Sequence, residues 1–302
     1  MTPTGTDTEQ PTPPRATTPP GGTTGPSTTH GPDTQRPRHR LPWILVAITG
    51  ALFIVVPLTT SLLADHASRT GAYTGPDNDR PHTVSAVEVD AGSAQITVTT
   101  GPARHVALDA TLNWLLKKPT IDRTWDGDTL KVHAQCNGYV DRYLQNCQID
   151  LHLTVPPEVA LTVRSDSGAI RVRDLTGPAD LTNGSGGMTL RGLKGTVRAT
   201  VGSGEIEATQ LATPEADLKT GSGTIRAEFT APPRRANAVA GSGTVALTVP
   251  DGTHYRILGH SGSGARTIAD TLADNTSDHT LDVSSGSGSV TVGYPAWGPP
   301  AG

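Results

Sequence analysis

The stretches TVGSGEIEATQL (residues 200–211) and LKTGSGTIRAEF (residues 218–229) contain the pattern that decides the fold of this 302-residue chain. In each stretch, apolar residues alternate with polar residues on both sides of a Ser-Gly pair. Alternation with a period of two residues indicates a half-buried β-strand. Glycine is favoured at a sharp corner because it adopts positive φ angles without steric cost. Each stretch therefore predicts two short strands joined by a Ser-Gly turn.

The Ser-Gly turn recurs along the C-terminal half of the chain, in steps of 18, 18, 19, 20, 21 and 24 residues. A coil of this length cannot bury its own apolar face, whereas stacked coils share one continuous core. We therefore predict an all-β ectodomain built as a β-solenoid-like stack of about 18–21-residue repeats over residues 161–293. The repeat at Gly264 fits least well, because Gly259 and Arg266 fall at expected core positions. The seven turn glycines are Gly168, Gly186, Gly204, Gly223, Gly243, Gly264 and Gly288.

The strands that follow the turns are predicted to carry two outward columns of polar and charged residues. Glu207 and Arg226 would be neighbours in one column and could form an ion pair, although a solvated polar face is the simpler interpretation. Asp174, Glu207 and Glu228 keep open an alternative in which outward carboxylates serve a polysaccharide-active enzyme. The columns are Arg171, Thr189, Glu207 and Arg226 in one, and Arg173, Arg191, Thr209 and Glu228 in the other.

The chain contains two cysteines, Cys136 and Cys147, and an even pair outside the cytoplasm predicts a disulfide. If the two face each other in an antiparallel hairpin, Leu130 lies opposite Leu153, which places apolar residues on the face that carries the cysteines. We expect residues 83–160 to form a separate β-layer that is stapled by this disulfide and caps the stack. No CxxC pair or nearby pair of histidines completes a metal site, so none is predicted.

The N-terminal part of the chain predicts a membrane anchor. Residues 41–64 contain no charged side chain, and a helix of that length can cross a hydrocarbon core about 30 Å thick. The alternative is a cleaved signal peptide, but the long preceding tail and the long apolar run both count against it.

The flanking segments complete the predicted organisation. Residues 1–40 are dominated by Pro, Thr and Gly and are predicted to form a disordered tail. The arginines at the end of this tail place the N-terminus in the cytoplasm by the positive-inside rule. The sequence thus predicts a single-pass protein of the cell membrane whose C-terminal domain is extracellular. Residues 65–82 are predicted to form a linker, and residues 294–302 a flexible tail.

Five stretches of the β-region carry a resemblance to a known family: LTVPPEVALTVRSDSGAIRV, TVGSGEIEATQL, LKTGSGTIRAEF, AVAGSGTVALTVP and VSSGSGSVTV. They resemble the bacterial "putative adhesin" family of β-strand-repeat proteins, a DUF4097-like domain of unknown function. The resemblance covers about residues 84–292. It implies a β-solenoid-like fold and a cell-envelope setting, and it implies no known activity.

The motifs favour a binding protein over an enzyme. The sequence contains no P-loop, HExxH, GxSxG or dinucleotide-binding fingerprint, so neither a cofactor nor a catalytic residue is predicted. A formal net charge of −4 gives no reason to expect a nucleic acid as partner. We therefore expect a non-enzymatic, membrane-anchored cell-surface protein, an adhesin or envelope scaffold with an unidentified envelope ligand. A transmembrane envelope sensor that signals through the Thr-rich tail is the first alternative, and the polysaccharide-active enzyme is the second.

Overall fold

The computed structural model describes residues 44–55, 69–76, 83–102, 104–138 and 147–295. The chain forms two compact units, one of which contains a helix over residues 44–55 and the other the β-strands. This helix lies inside the predicted membrane span, residues 41–64, and the rest of that span lies outside the described ranges, as does the predicted tail over residues 1–40. No helix in the described ranges is both long enough and apolar enough to cross a membrane.

Eighteen strands lie in the described part of the β-unit, and ladders of hydrogen bonds connect them all. A single turn of 3-10 helix, Asp270–Leu272, follows the strand Arg266–Ile268. The strands are β1 Arg69–Thr74, β2 Ala86–Thr100, β3 Ala107–Trp114, β4 Thr120–Asp126, β5 Thr129–Gln135, β6 Gln148–Val155, β7 Ala160–Ser167, β8 Ile170–Arg173, β9 Ala179–Ser185, β10 Met188–Arg191, β11 Val197–Leu211, β12 Glu215–Phe229, β13 Arg235–Ser242, β14 Val245–Thr248, β15 Arg256–Leu258, β16 Arg266–Ile268, β17 Thr280–Ser287 and β18 Val290–Gly293.

Each regular coil contributes one segment to each of two sheets, and the Ser-Gly corner joins the two segments. We call the sheet formed before the corners sheet 1 and the sheet formed after them sheet 2. Regular coils pair in parallel and in register, so that equivalent residues stack in columns. The strand order is β4-β5-β2-β7-β9-β11-β12-β13-β17-β15 in sheet 1 and β1-β3-β6-β2-β8-β10-β11-β12-β14-β18-β16 in sheet 2.

The predicted inward positions form the core of the stack. Leu181, Ala199 and Leu218 lie side by side in one column of sheet 1, and Ile206 lies beside Ile225 in sheet 2; all five are buried. Burying one such side chain stabilises the fold by about 1–3 kcal/mol, so stability comes from the array of coils and not from any single one. The all-β, solenoid-like prediction is confirmed.

At the N-terminal end, the order of the coils in space differs from their order in sequence. The β2 coil, Ala86–Thr100, lies between the β5–β6 coil and the β7–β8 coil. Residues 83–160, which we expected to form a separate layer, instead continue the same two sheets. Residues 65–82 were predicted to form a linker, but part of this segment is strand β1, Arg69–Thr74. This strand pairs antiparallel with β3 at the edge of sheet 2.

The antiparallel hairpin predicted around the cysteines is wrong in its pairing. Strands β5 and β6 both run parallel to β2, so Leu130 lies beside Val87 and not opposite Leu153. Cys136 and Cys147 are nevertheless joined in a disulfide, with Cα atoms 6.0 Å apart. The disulfide spans the connection between β5 in sheet 1 and β6 in sheet 2, where the regular coils have their Ser-Gly corner.

The C-terminal end has the same kind of insertion. The β17–β18 coil is last in sequence, yet it lies between the β13–β14 coil and the β15–β16 coil. The irregular repeat that contains Gly259 and Arg266 is therefore the end of the stack. Because the end coil covers a neighbour on one side only, it can do without the regular apolar pattern, and Arg266 is accordingly exposed.

Candidate functional site

The seven turn glycines form a ladder along one corner of the stack. Their φ angles lie between 116° and 145°, a region that side-chain-bearing residues rarely adopt. A Cβ atom at Gly186 would also collide with the carbonyl oxygen of Gly168 in the preceding coil, and the same holds for Gly204 against Gly186. The ladder thus lets adjacent coils approach closely.

A second ladder, which the sequence analysis missed, lies on the inner side of this corner. Four buried polar residues, each two positions before a corner serine, donate hydrogen bonds to corner carbonyls. Asn183 Nδ2 donates to the carbonyl of Gly168 at 2.9 Å, and Ser285 Oγ donates to that of Gly243 at 2.8 Å. The sequence did contain a signal for this ladder, because each of these polar residues occupies a position where the two-residue alternation predicts an inward apolar side chain. The four residues are Ser165, Asn183, Thr220 and Ser285.

The outer face of sheet 1 carries a network of paired charges around Arg198. In one outward column, Arg198 lies between Asp180 and Asp217. Its guanidinium nitrogens lie 4.0 Å from Asp180 Oδ2 and 3.6 Å from Asp217 Oδ2. Lys219 Nζ and Asn237 Nδ2 donate to the Asp217 carboxylate at 2.9 and 2.7 Å. The charges of Asp180, Arg198, Asp217 and Lys219 therefore largely neutralise one another.

The pKa of Asp217 reports the strength of this network. Burial acts to raise the pKa, but hydrogen bonds from Lys219 and Asn237, together with the charge of Arg198, outweigh it and hold the pKa below its ordinary value. Arg198 also lines two shallow surface grooves of about 280 and 300 Å³. The lining of the first groove combines apolar side chains such as Val197 with Arg235, which lies in no ion pair with a described residue.

The outer face of sheet 2 carries three arginines on the adjacent strands β8 and β10. The register places Arg173 directly beside Arg191, with Arg171 two residues earlier on β8. Arg171 donates to Gln95 Oε1 at 3.4 Å, and Arg191 donates to Gln210 Oε1 at 3.0 Å. In the described part of the chain, none of the three arginines lies within 4.0 Å of a carboxylate oxygen.

The ion pair that the structure forms farther along this face differs from the predicted one. Glu207 and Arg226 are register neighbours, as the predicted column requires. Arg226 nevertheless pairs with Glu205, which lies on the same strand as Glu207 but two residues earlier. Strand register fixes which backbone positions adjoin, whereas a long arginine side chain selects among several carboxylates within reach.

The three carboxylates considered for catalysis are not brought together. Asp174 follows the end of β8 and has a φ of 58°. Glu207 lies beside Arg226, and Glu228 lies beside Thr248 in a different column. No hydrogen bond joins any two of these three carboxylates. The described residues also contain no cluster of three or more His, Cys, Asp or Glu that could hold a metal ion.

The two-sheet solenoid with Ser-Gly corners defines the class of protein. A family model, Toastrack DUF4097, matches residues 84–294, which is more than half of the chain. The chain belongs to this family, whose function is unknown, as its name records. No curated protein matches the sequence.

Several solved structures are similar to the chain. A "putative cell adhesion protein" of Clostridium sporogenes is 9% identical, with a TM-score of 0.32, and the match covers 75% of this chain and 99% of the other. A "putative adhesin" of Bacteroides fragilis is 11% identical, with a TM-score of 0.34 and coverage of 75% and 96%. A "putative lipid binding protein" of Parabacteroides distasonis is 12% identical, with a TM-score of 0.32 and coverage of 75% and 98%.

Proposed function

We propose that this chain is a non-enzymatic binding protein of the bacterial cell surface, whose β-stack presents a rigid face to a ligand of the cell envelope. The observation that carries the proposal is the register of the outward columns. Parallel coils repeat every 4.8 Å or so, so charged side chains stand at fixed positions on a continuous hydrogen-bonded surface. A surface of this kind suits an extended or repetitive ligand better than a small molecule, which requires a concave pocket.

Membrane anchoring by residues 41–64 forms part of the proposal. It is supported by the uncharged run of residues, by the arginines before it and by the position of the β-unit after it. A tether of this kind holds the stack at the surface, where its outward faces meet envelope polymers.

The binding proposal is tested with the full chain in an uncharged detergent, immobilised on beads. An envelope extract, separated into polymer, protein and lipid fractions, is passed over the beads. We expect retention of the polymer fraction with an unchanged length distribution. Retention of no fraction would contradict the binding role, and shortening of the retained polymer would contradict the non-enzymatic role.

A further inference from the structure

We propose that Arg171, Arg173 and Arg191 form a binding site for the phosphate groups of a phosphodiester-linked polymer. We call these three residues the arginine patch. The inference rests on the proposed function and deepens it, because it names the chemistry of the ligand that the stack binds.

The first argument is the repulsion built into the arginine patch. Arg173 and Arg191 occupy directly paired positions on adjacent parallel strands, which places their backbones about 4.8 Å apart. Like charges at directly paired positions destabilise a sheet, and a guanidinium group stays charged at every accessible pH. Arg173 has neither a side-chain hydrogen bond nor an ion pair with any described residue. A bound anion would turn this repulsion into attraction.

The second argument is the contrast with other outward arginines of the same stack. Arg198 on sheet 1 lies between two aspartates, and Arg226 on sheet 2 pairs with Glu205. The nearest acidic residue in sequence, Asp174, has its carboxylate against the backbone of Gly192 and forms no ion pair with the patch. The stack therefore supplies carboxylate partners to some of its outward arginines, whereas the paired arginines of the patch have none among the described residues and can accept an external anion.

The third argument concerns the type of anion. A guanidinium group donates two parallel hydrogen bonds to one anion. A carboxylate and a phosphodiester each offer two charged oxygens, but the lone pairs of a carboxylate lie in one plane. The non-bridging oxygens of a phosphodiester surround a tetrahedral phosphorus, so they can accept from Arg173 and Arg191 when the two guanidinium groups approach in different planes. Thr97 and Thr189 flank Arg171 in its column and add hydroxyl donors beside the patch.

The fourth argument concerns a polymer as opposed to a single phosphate. Arg171 and Arg173 are two residues apart on the same strand and point to the same face, which separates them by about 6.6 Å. One phosphate bound between Arg173 and Arg191 leaves Arg171 to contact a second phosphate farther along. A chain of linked phosphates therefore matches the patch better than an isolated ion.

The test measures binding of fluorescently labelled poly(glycerol phosphate) to the full chain in uncharged detergent, by anisotropy at two salt concentrations. We expect the double variant R173Q/R191Q to raise Kd at least about tenfold, because it removes the charge-assisted hydrogen bonds that two guanidinium groups donate to the phosphate. The matched control R198Q/R226Q removes the same charge from paired arginines and should change Kd less than about twofold. Equal loss in both double variants would overturn the proposal, because it would show nonspecific charge attraction.

Two further probes define the ligand. Polyglutamate of equal length should bind at least about tenfold more weakly, and inorganic phosphate at equal phosphate concentration should compete poorly. Equal binding of polyglutamate would overturn the assignment to phosphate, and full competition by inorganic phosphate would overturn the assignment to a polymer.

A last measurement separates a binding role from a structural one. Because R173Q/R191Q removes a repulsion, its melting temperature should equal or exceed that of the native chain. A large drop in melting temperature would overturn the repulsion argument. Native-level polymer binding by this variant would overturn the assignment to the arginine patch and leave the proposed function intact. No binding of poly(glycerol phosphate) by the native chain would overturn the assignment to a phosphate polymer, and the proposed function itself fails only if the beads also retain no envelope fraction.

Discussion

At the scale of single residues, the corner glycines determine how closely the coils can stack. Each one combines a positive φ with a missing Cβ that would otherwise collide with the coil before it. The need for glycine at this corner was predictable from the Ser-Gly pattern. The collision was not, because it depends on which coil lies next to which in space.

Gly186 and Gly187 make a matched pair within one corner. Gly186 has a φ of 116° and its Cβ would meet the carbonyl oxygen of Gly168, whereas a Cβ at Gly187 would have no atom within 4 Å. We expect Gly186→Ala to lower the free energy of unfolding by at least about 2 kcal/mol. Gly187→Ala should change it by less than about 0.5 kcal/mol. Urea denaturation measures both, and similar effects of the two substitutions would contradict the ladder.

Asp217 makes the stability of the stack depend on pH. Its folded-state pKa is depressed, so its contribution is fully present above the unfolded-state pKa of about 3.9 and is lost as pH falls through the folded-state pKa. We expect Asp217→Asn to lower the free energy of unfolding by about 1 kcal/mol at pH 7. Urea melts from pH 7 to pH 2 should show this difference shrinking below about pH 4. A difference that persists unchanged at pH 2 would contradict the network.

At the scale of elements, β4 is the strand that ends sheet 1 on the N-terminal side. Arg123 on this strand faces inward; its side-chain nitrogens are buried and have no hydrogen-bond partner, and its guanidinium lies 5.5 Å from the ring of Trp125. An inward charge on an edge strand discourages another strand from pairing with it. We therefore expect Arg123 to lower stability and to disfavour end-to-end association at the open end of the stack.

Arg123→Val tests this role. Removing an unpartnered buried charge should raise the free energy of unfolding by about 1–3 kcal/mol, and the exposed edge should then promote dimers in light scattering at high concentration. Thr124→Val on the outward side of the same strand is the control. It should raise the free energy of unfolding less than Arg123→Val and should promote fewer dimers. A monomeric, destabilised Arg123→Val variant would contradict the role.

The elements also show what a two-residue period can and cannot predict. The alternation of Leu130 with polar neighbours correctly indicates that this side chain faces inward. It does not say whether β5 pairs with β6 or with β2, because both arrangements bury the same residues. The structure chooses the parallel arrangement, in which Leu130 continues the inward column of Val87 and extends the stack.

At the scale of the whole molecule, the sequence predicts the repeat, the two columns and the inward faces, but not the order of the coils. The β17–β18 coil lies between two other coils, and its regular apolar pattern packs against a neighbour on each side. The coil that contains Arg266 lacks this pattern and lies at the end, where it has one neighbour only. The arginine patch was visible as parts of two columns. The absence of ion pairs at the patch could not be predicted, because an ion pair forms only where a carboxylate lies within reach of the arginine side chain.

The central proposal is that the β-stack lies outside the cell on a chain whose N-terminus lies inside. The most direct test places single cysteines at Thr18 and at exposed Ala265 and labels intact cells with a membrane-impermeant maleimide. The native cysteines form a disulfide and give no background. We expect Ala265→Cys to react in intact cells and Thr18→Cys to react only after permeabilisation. Reaction of Thr18→Cys in intact cells, or protection of Ala265→Cys, would contradict the account.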